Sequence, residues 1–493
     1  MKNKQTVSVL LTALVLLGVA SCAGEDTKTP TVSGVTGTEH AETEAVESAP
    51  VYPYEIQDFG GYEFRILNVL DDLWASEGTN NNSAKLDFEK ETGDIIEDAV
   101  YKMMRSTEET LNIQFAPMDK ESIFDLVSKV NKVVMAGEDA YDAAYICTSN
   151  YASALGITMN LYDVETMHLE EAWWHPVYVE SMTFGDAYLY GAMDYINRWT
   201  WEAPGCVLFN KDMMLTYDIE VPYDAVRAGS WTFDMMYDMM KKVVNLNGAS
   251  DFTPQKGGVA IYGQAANHEE SPLLMMQGTG YNLVTKDADN MPVLVEDLTG
   301  YVNVYDKLSE MCSENGYSVL INTAELIGDH IFEEGRALFN WEMANMAMAY
   351  RNVEFEFGLA PMPKYDENQA QYYSPVRQYG MLLTVPLTNA DPERSGTILD
   401  YMSWYGYTNI QPVVWEAMCY KGVRDEDSID MLEIIFSSMY VDIGFMWDIT
   451  KELQTQIAKN AASGVENVVS QIEKKAAAHT KKLDKLMKKL TVE

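Results

Sequence analysis

The sequence predicts an α/β protein of mainly parallel sheets flanked by helices. Short apolar runs of strand character alternate with segments whose apolar residues recur at helical spacing, the pattern of βαβ units. The chain is also long, 493 residues with 47% hydrophobic content. That is enough for two large lobes or about three domains, each with a real core.

In chain order, residues 1–22 read MKNKQTVSVLLTALVLLGVASC. Lys2 and Lys4 precede an almost purely apolar run, Val7 to Val19, which is too short to span a bilayer comfortably and has no stop-transfer pattern after it. It reads as an export signal. Its end, Val19-Ala20-Ser21-Cys22, resembles a bacterial lipobox, which implies cleavage after residue 21, diacylation of Cys22 and a tether on the extracytoplasmic face of the cell membrane. Residues 22–56 are dominated by Thr, Glu, Ala, Ser, Pro and Gly and predict a flexible stalk.

The body is expected from residue 57. Tyr62–Leu70 reads as a buried strand. After an Asn- and Ser-rich loop at Thr79–Ser83, the residues Ile96, Val100, Met103, Thr107 and Leu111 trace one helix face. Ile113–Phe115 predicts a strand, Ile123, Val127, Val130 and Val134 a helix, and Tyr141–Ile146 a strand. Tyr188–Tyr190 and Cys206–Phe209 read as further strands, and Asp212 as the cap of the helix after them. A helix is expected over Met235–Val244, and helical periodicity runs over Pro392–Gly406 and Ser428–Leu453. The segment Val465–Glu493, with seven lysines and four acids, predicts an amphipathic helix with a basic face, its apolar side carrying Leu483, Leu486, Met487 and Leu490. Docking on the body is expected of it, rather than membrane insertion.

The formal charge of −40 argues against nucleic acid and anionic lipid surfaces as partners and fits solubility outside the cell. Cys147, Cys206, Cys312 and Cys419 are widely spaced with no CxxC pair, so they are either buried thiols or disulfide partners. No HExxH, GxSxG or P-loop pattern occurs, and no metal or cofactor is expected.

Several runs together resemble one family. They are Asp142-Ala-Ala-Tyr-Ile146, Leu208-Phe-Asn-Lys-Asp212, Trp231-Thr-Phe-Asp-Met-Met236, Phe332-Glu-Glu-Gly-Arg-Ala-Leu-Phe-Asn-Trp341, Gly358-Leu-Ala-Pro-Met-Pro363 and Arg424-Asp-Glu-Asp-Ser428. In this order they are similar to the extracellular solute-binding proteins of family 1, the carbohydrate-binding lipoproteins of ABC importers and relatives of the maltose-binding protein. One departure is the loop Asn245–Asp251, where some relatives carry an acidic, calcium-type sequence; here it holds a single carboxylate. The resemblance implies a type II periplasmic-binding-protein-like fold: two α/β lobes, a ligand cleft between them, and closure of the lobes around a carbohydrate. It implies lobe boundaries at 57–165 with 333–378, and 166–332 with 379–493. It implies membrane permease subunits as partners and no catalytic activity.

Sugars offer apolar C–H faces and rings of hydroxyls, so a site for them needs aromatic platforms and polar side chains. Asn150 and Tyr151 follow the strand at Tyr141–Ile146, where α/β sheets bind ligands, although a helix cap there is an equal alternative. Trp199, Trp201 and Glu202 lie where the resemblance implies the rim of the cleft. Alternation predicts that one tryptophan faces it while the other packs, with Glu202 accepting from hydroxyls. His268 precedes an apolar helix. Trp341 and Glu342 end the Phe332 run, and Trp341 is the leading stacking candidate. Arg377 and Tyr379 lie on the next crossover, and Trp415 on a late helix. Two other classes fit the composition: a secreted carbohydrate-active enzyme, which needs a pair of flanking carboxyls, and a passive surface glycan-binding protein.

Overall fold

The computed structural model describes residues 50–70, 82–185, 187–266, 271–313, 316–320, 327–376, 379–423, 425–463 and 468–490. The signal 1–21, Cys22 and most of the expected stalk therefore lie outside the described residues, as do His268 and Arg377. By its contacts the chain divides between Val51 and Tyr52, and Tyr52–Glu493 forms one unit.

Within that unit most strands of the main sheets fall where apolar residues predominate. The strands of the first sheet's leading part are β1 (Ile66–Val69), β2 (Asp119–Glu121) and β3 (Ala143–Cys147). Then come β4 (Gly205–Asn210), β5 (Tyr262–Ala266), β6 (Ser318–Leu320), β7 (Ala337–Met343), β8 (Phe357–Pro361) and β9 (Met381–Thr384). Two main sheets result, ordered β9-β3-β1-β2 and β6-β5-β7-β4-β8. In each, the strand that enters from the other lobe runs antiparallel: β9 against β3, and β4 against β7 and β8. The remaining neighbours are parallel. Strands β1, β3, β4, β5, β7, β8 and β9 are buried along their length, as expected of strands covered on both faces.

This pairing moves the expected lobe boundaries. The segment 333–378, expected with the first lobe, supplies β7 and β8 to the second sheet, while Met381–Thr384, expected with the second lobe, pairs with β3. Residues from 166 to about 200 also attach to the first lobe, where Ala192 bridges Leu383. The stretches were legible as strands, but fully buried strands carry no alternation that states which neighbour they pair with.

The helices flanking the sheets include α1 (Ile95–Leu111) and α2 (Leu126–Ala136) in the first lobe, and α3 (Ser271–Gln277) and α4 (Thr299–Ser313) in the second. Asp94 caps α1 by accepting from the amides of Ile96 and Glu97, which fixes where that helix starts. Asn210, not Asp212, caps the helix after β4: its side-chain oxygen accepts from the Met213 amide at 2.8 Å. Tyr188–Tyr190 makes only an isolated bridge between Tyr188 and Phe184, not a strand.

From residue 392 onward the expected helix is longer than its periodicity indicated. Helix α5 (Pro392–Tyr405) continues through a π turn at Gly406–Ile410, α6 (Gln411–Ala417) and a second π turn at Met418–Gly422. Pro412 lacks an amide hydrogen, and its ring cannot sit against the carbonyl one turn back, so the helix widens just before it. The rod starts against α1 and ends against the short helix Met346–Ala349 that follows β7, so it links the two lobes. The expected helix over Ser428–Leu453 is instead α7 (Glu426–Ser437), a two-residue strand at Met439–Tyr440, a short turn of helix at Ile443–Met446, and α8 (Lys451–Ala462). The last helix, α9 (Val468–Leu490), buries His479, Leu486 and Leu490 against the body.

The body begins earlier than residue 57. Tyr52 is 7% exposed, and its hydroxyl donates to Asp400 at 2.7 Å. The fully buried Asp400 carboxylate also accepts from the indoles of Trp173 and Trp174 at 2.8 and 2.7 Å and pairs with His168 Nδ1 at 2.9 Å. Tyr54 stacks on the His168 ring with 3.4 Å between centroids. A carboxylate this well supplied with donors is stable in the core and holds the start of the body in place.

Candidate functional site

Ligands of parallel α/β sheets sit beyond the carboxyl ends of the strands. In the first lobe those ends are Val69, Glu121 and Cys147. After β2 the chain makes a tight turn, with the Asp125 amide donating to the Ser122 carbonyl at 2.9 Å, and this turn presents Phe124. Phe124 is 55% exposed, unusual for a large aromatic. Along α2 the residues Val127, Ser128 and Asn131 follow it on one face. After β3 a 3₁₀ segment, Thr148–Ser153, brings up Asn150 and Ser153 opposite them. With Ile157, these residues line a groove of about 390 Å³, within the range of small-ligand sites.

Three features suit the groove to a sugar. Phe124 offers an apolar ring face. The side-chain amides of Asn131 and Asn150 have no hydrogen-bond partner among the described residues, so both keep donor and acceptor capacity for hydroxyls. Tyr379 stands edge-on to Phe124, ring centroids 6.1 Å apart, so the aromatic surface reaches the crossing between the lobes. The second lobe meets the rim here as well. The Lys451 ammonium, at the start of α8, donates to the Ser149 carbonyl, and burial lowers its pKa from the usual lysine value. Helix α8 itself packs on α3 and α4.

The crossings are lashed together at the same place. The Thr200 hydroxyl donates to the Met381 carbonyl and accepts from the Met381 amide, both at 2.6 Å. The Trp199 indole donates to the Tyr379 carbonyl at 2.8 Å. A Cβ on Gly380 would stand 2.6 Å from the Thr200 methyl, so only glycine allows this approach.

Of the sequence-expected site residues, Asn150 and Tyr379 are brought together at the groove. Tyr151, expected beside Asn150, is fully buried: its hydroxyl accepts from the Tyr190 amide at 2.9 Å and its ring meets Trp447 edge-on at 4.6 Å. Trp199 and Trp201 are 1% and 3% exposed, so neither presents a face. Residues 198–202 form turns instead of a strand, and the expected alternation has no strand to act on. Glu202 is not open to hydroxyls, because one oxygen takes Arg198 at 2.9 Å and the other the Ser83 hydroxyl.

Trp341 is wholly buried on β7, its carbonyl held by the Ser271 hydroxyl at the start of α3, at 2.9 Å. Its ring presents no face in this structure. Glu342 points to the opposite, equally buried side, paired in register with Cys206, whose thiol burial pushes well up. Trp415 is half-buried and packs edge-on against Phe436 of α7 at 5.6 Å. The groove residues missed from sequence were Phe124, Val127, Ser128, Asn131, Ser153 and Ile157. The signal was present: Phe124, Ser128 and Asn131 recur at i, i+4 and i+7 beside the apolar stripe of α2, an aromatic on a polar face. Among the described residues no group of three or more His, Cys, Asp or Glu side chains is placed to hold a metal ion.

No protein-family model and no curated protein sequence matches the chain. Solved structures do. The galacto-N-biose/lacto-N-biose I-binding protein of the ABC transporter from Bifidobacterium longum, in complex with lacto-N-biose, aligns with a TM-score of 0.58 at 13% identity, over 87% of this chain and 99% of its own. The ABC substrate-binding protein Lmo0181 from Listeria monocytogenes, in complex with cycloalternan, aligns at 0.55 and 12% identity, over 87% and 99%. The GacH receptor of Streptomyces glaucescens, known unliganded and with acarbose, aligns at 0.54 and 12% identity, over 86% and 99%. The chain has a periplasmic-binding-protein fold. The periplasmic-binding-protein fold accounts for the two sheets, each with one antiparallel strand received from the other lobe, and for the several crossings between them. The groove at the ends of β2 and β3 lies beside those crossings.

Proposed function

We propose that this chain is the carbohydrate-binding component of an ABC importer, holding its ligand between the lobes with the Phe124 groove as the first lobe's share of the site. The observation that carries the reading is the groove itself: an exposed aromatic and two unpartnered amides at the sheet end, beside the crossings, on a fold whose neighbours were solved with saccharides bound. Phe124 and Tyr379 supply apolar faces, Asn131 and Asn150 pair with hydroxyls, and contacts from the second lobe favour the closed form. The reading includes a permease that recognises the closed form, and a lipid on Cys22 that keeps the protein at the outer face of the cell membrane. It assigns no catalytic step.

A thermal-shift screen against neutral mono- and oligosaccharides tests the binding, because a ligand that binds only the folded form raises the melting temperature. At least one sugar is expected to do so, and a screen with no hit among saccharides counts against the reading. For the anchor, Cys22→Ala expressed in a bacterium is expected in the soluble extracytoplasmic fraction while the parent stays with membranes. Equal solubility of the two rules the lipid out.

A further inference from the structure

Helix α9 is a local reversal of charge. Its residues Val468–Leu490 carry seven lysines against two carboxylates, Glu473 and Asp484, in a chain of formal charge −40. Its apolar side is spent on the body, where His479, Leu486 and Leu490 are buried and Leu483 and Ile472 pack against the core. Three lysines are also spent there: Lys475 pairs with Glu452 at 2.6 Å, Lys482 with Asp448 at 3.1 Å, and Lys489 donates to the Leu155 carbonyl at 3.4 Å. Lys474, Lys481, Lys485 and Lys488 are exposed and have no carboxylate partner among the described residues. Their spacings of seven, four and three place them in one stripe along the helix, about 21 Å long at 1.5 Å per residue. No helix of the described residues is long and apolar enough to cross a membrane.

We propose that the outward face of α9 is a docking surface for anionic phospholipid headgroups. Charge complementarity selects the occupant. Like charges held in a row on one helix face repel one another, and phosphates opposite relieve that repulsion. The stripe has no large apolar or aromatic side chain, with only Ala477 and Ala478 exposed among the lysines, so it lacks the anchor a protein partner needs. A fluid anionic sheet needs none. The acidic body does not cancel the attraction, because charges farther off than a Debye length of about 8–10 Å are screened at physiological salt. The inference rests on the membrane location proposed above for biological relevance, but its test uses neither the lipid anchor nor a sugar.

The experiment measures co-sedimentation of the chain lacking residues 1–22, which retains the whole unit Tyr52–Glu493. Vesicles of phosphatidylcholine alone are compared with vesicles containing about one-third phosphatidylglycerol. Binding is expected only to the anionic vesicles, falling at least about tenfold in about 0.5 M salt. The quadruple variant Lys474→Glu, Lys481→Glu, Lys485→Glu, Lys488→Glu is expected to abolish it, and the matching Gln variant to weaken it. Both should keep the parent's melting temperature, and the lipid and salt arms are read on the parent even if a variant does not fold. Equal binding to both vesicle types, no binding to either, or anionic binding unchanged in folded variants overturns the proposal. So does capture of soluble polyphosphate without capture of vesicles.

Discussion

Phe124 and Trp341 show at the level of single residues how exposure, not aromaticity, decides a role. Phe124→Ala is expected to weaken sugar binding by about 1–2 kcal/mol with little loss of stability, because the residue is 55% exposed at the groove. Calorimetry with the ligand from the screen checks this. Trp341→Ala is expected to cost about 3–5 kcal/mol of stability, the usual result of emptying a large core site, as read by chemical denaturation. Sequence could not separate the two, since one tryptophan at the end of an apolar strand looks alike whether a helix or a ligand covers it. A second residue-scale effect follows from burial. The His175 imidazole is pushed down to about 4 by loss of solvent. Unfolded, it protonates near ~6.5. It therefore contributes stability above ~6.5 that is lost as pH falls toward 4. Asp194 acts oppositely over the same window: burial raises its carboxyl to about 7, so its contribution declines as pH rises from ~4 to ~7. Stability of His175→Leu, measured by urea denaturation and compared with the parent, is expected to improve by up to about 3 kcal/mol between pH 7 and 4. A difference that does not move with pH contradicts this.

At the scale of elements, the helix from Pro392 to Gly422 is the least sequence-legible part of the fold and the most consequential for how the lobes join. Periodicity marked its first fifteen residues, Pro392–Gly406. It did not mark the two π turns, because a widened turn shifts the phase of the apolar stripe and the pattern then reads as an end. Gly406 was the last residue of the expected helical stretch. In the structure a Cβ there would lie 1.9 Å from the Tyr195 carbonyl oxygen, a backbone atom that cannot turn aside. Gly406→Ala is therefore expected to cost about 1–3 kcal/mol or more by overpacking, and a variant as stable as the parent contradicts the contact. Strands β1, β3 and β4 and helices α1 and α2 were legible because the strands are short apolar runs and the helices carry apolar residues at helical spacing. Pairing was not, so β7, β8 and β9 were expected in the wrong lobes. The groove was half legible: Asn150 and Tyr379 stood out by position, whereas Phe124 sat inside a stretch already explained as helix.

For the whole molecule, the proposed function requires that a ligand seated beside the crossings draw two lobes together. Only a difference in affinity between closed and open forms can do this. Moving the population from mostly open to mostly closed takes a preference of about 10⁴, or ~5.5 kcal/mol. Two aromatic faces and several hydroxyl hydrogen bonds at about 1 kcal/mol each reach that figure. The most direct test is small-angle scattering of the chain with and without the sugar found in the thermal-shift screen, at a concentration that calorimetry shows to be saturating. The radius of gyration is expected to fall on saturation, and to fall less in Phe124→Ala at the same sugar concentration. A radius of gyration that stays constant while the site is full contradicts it.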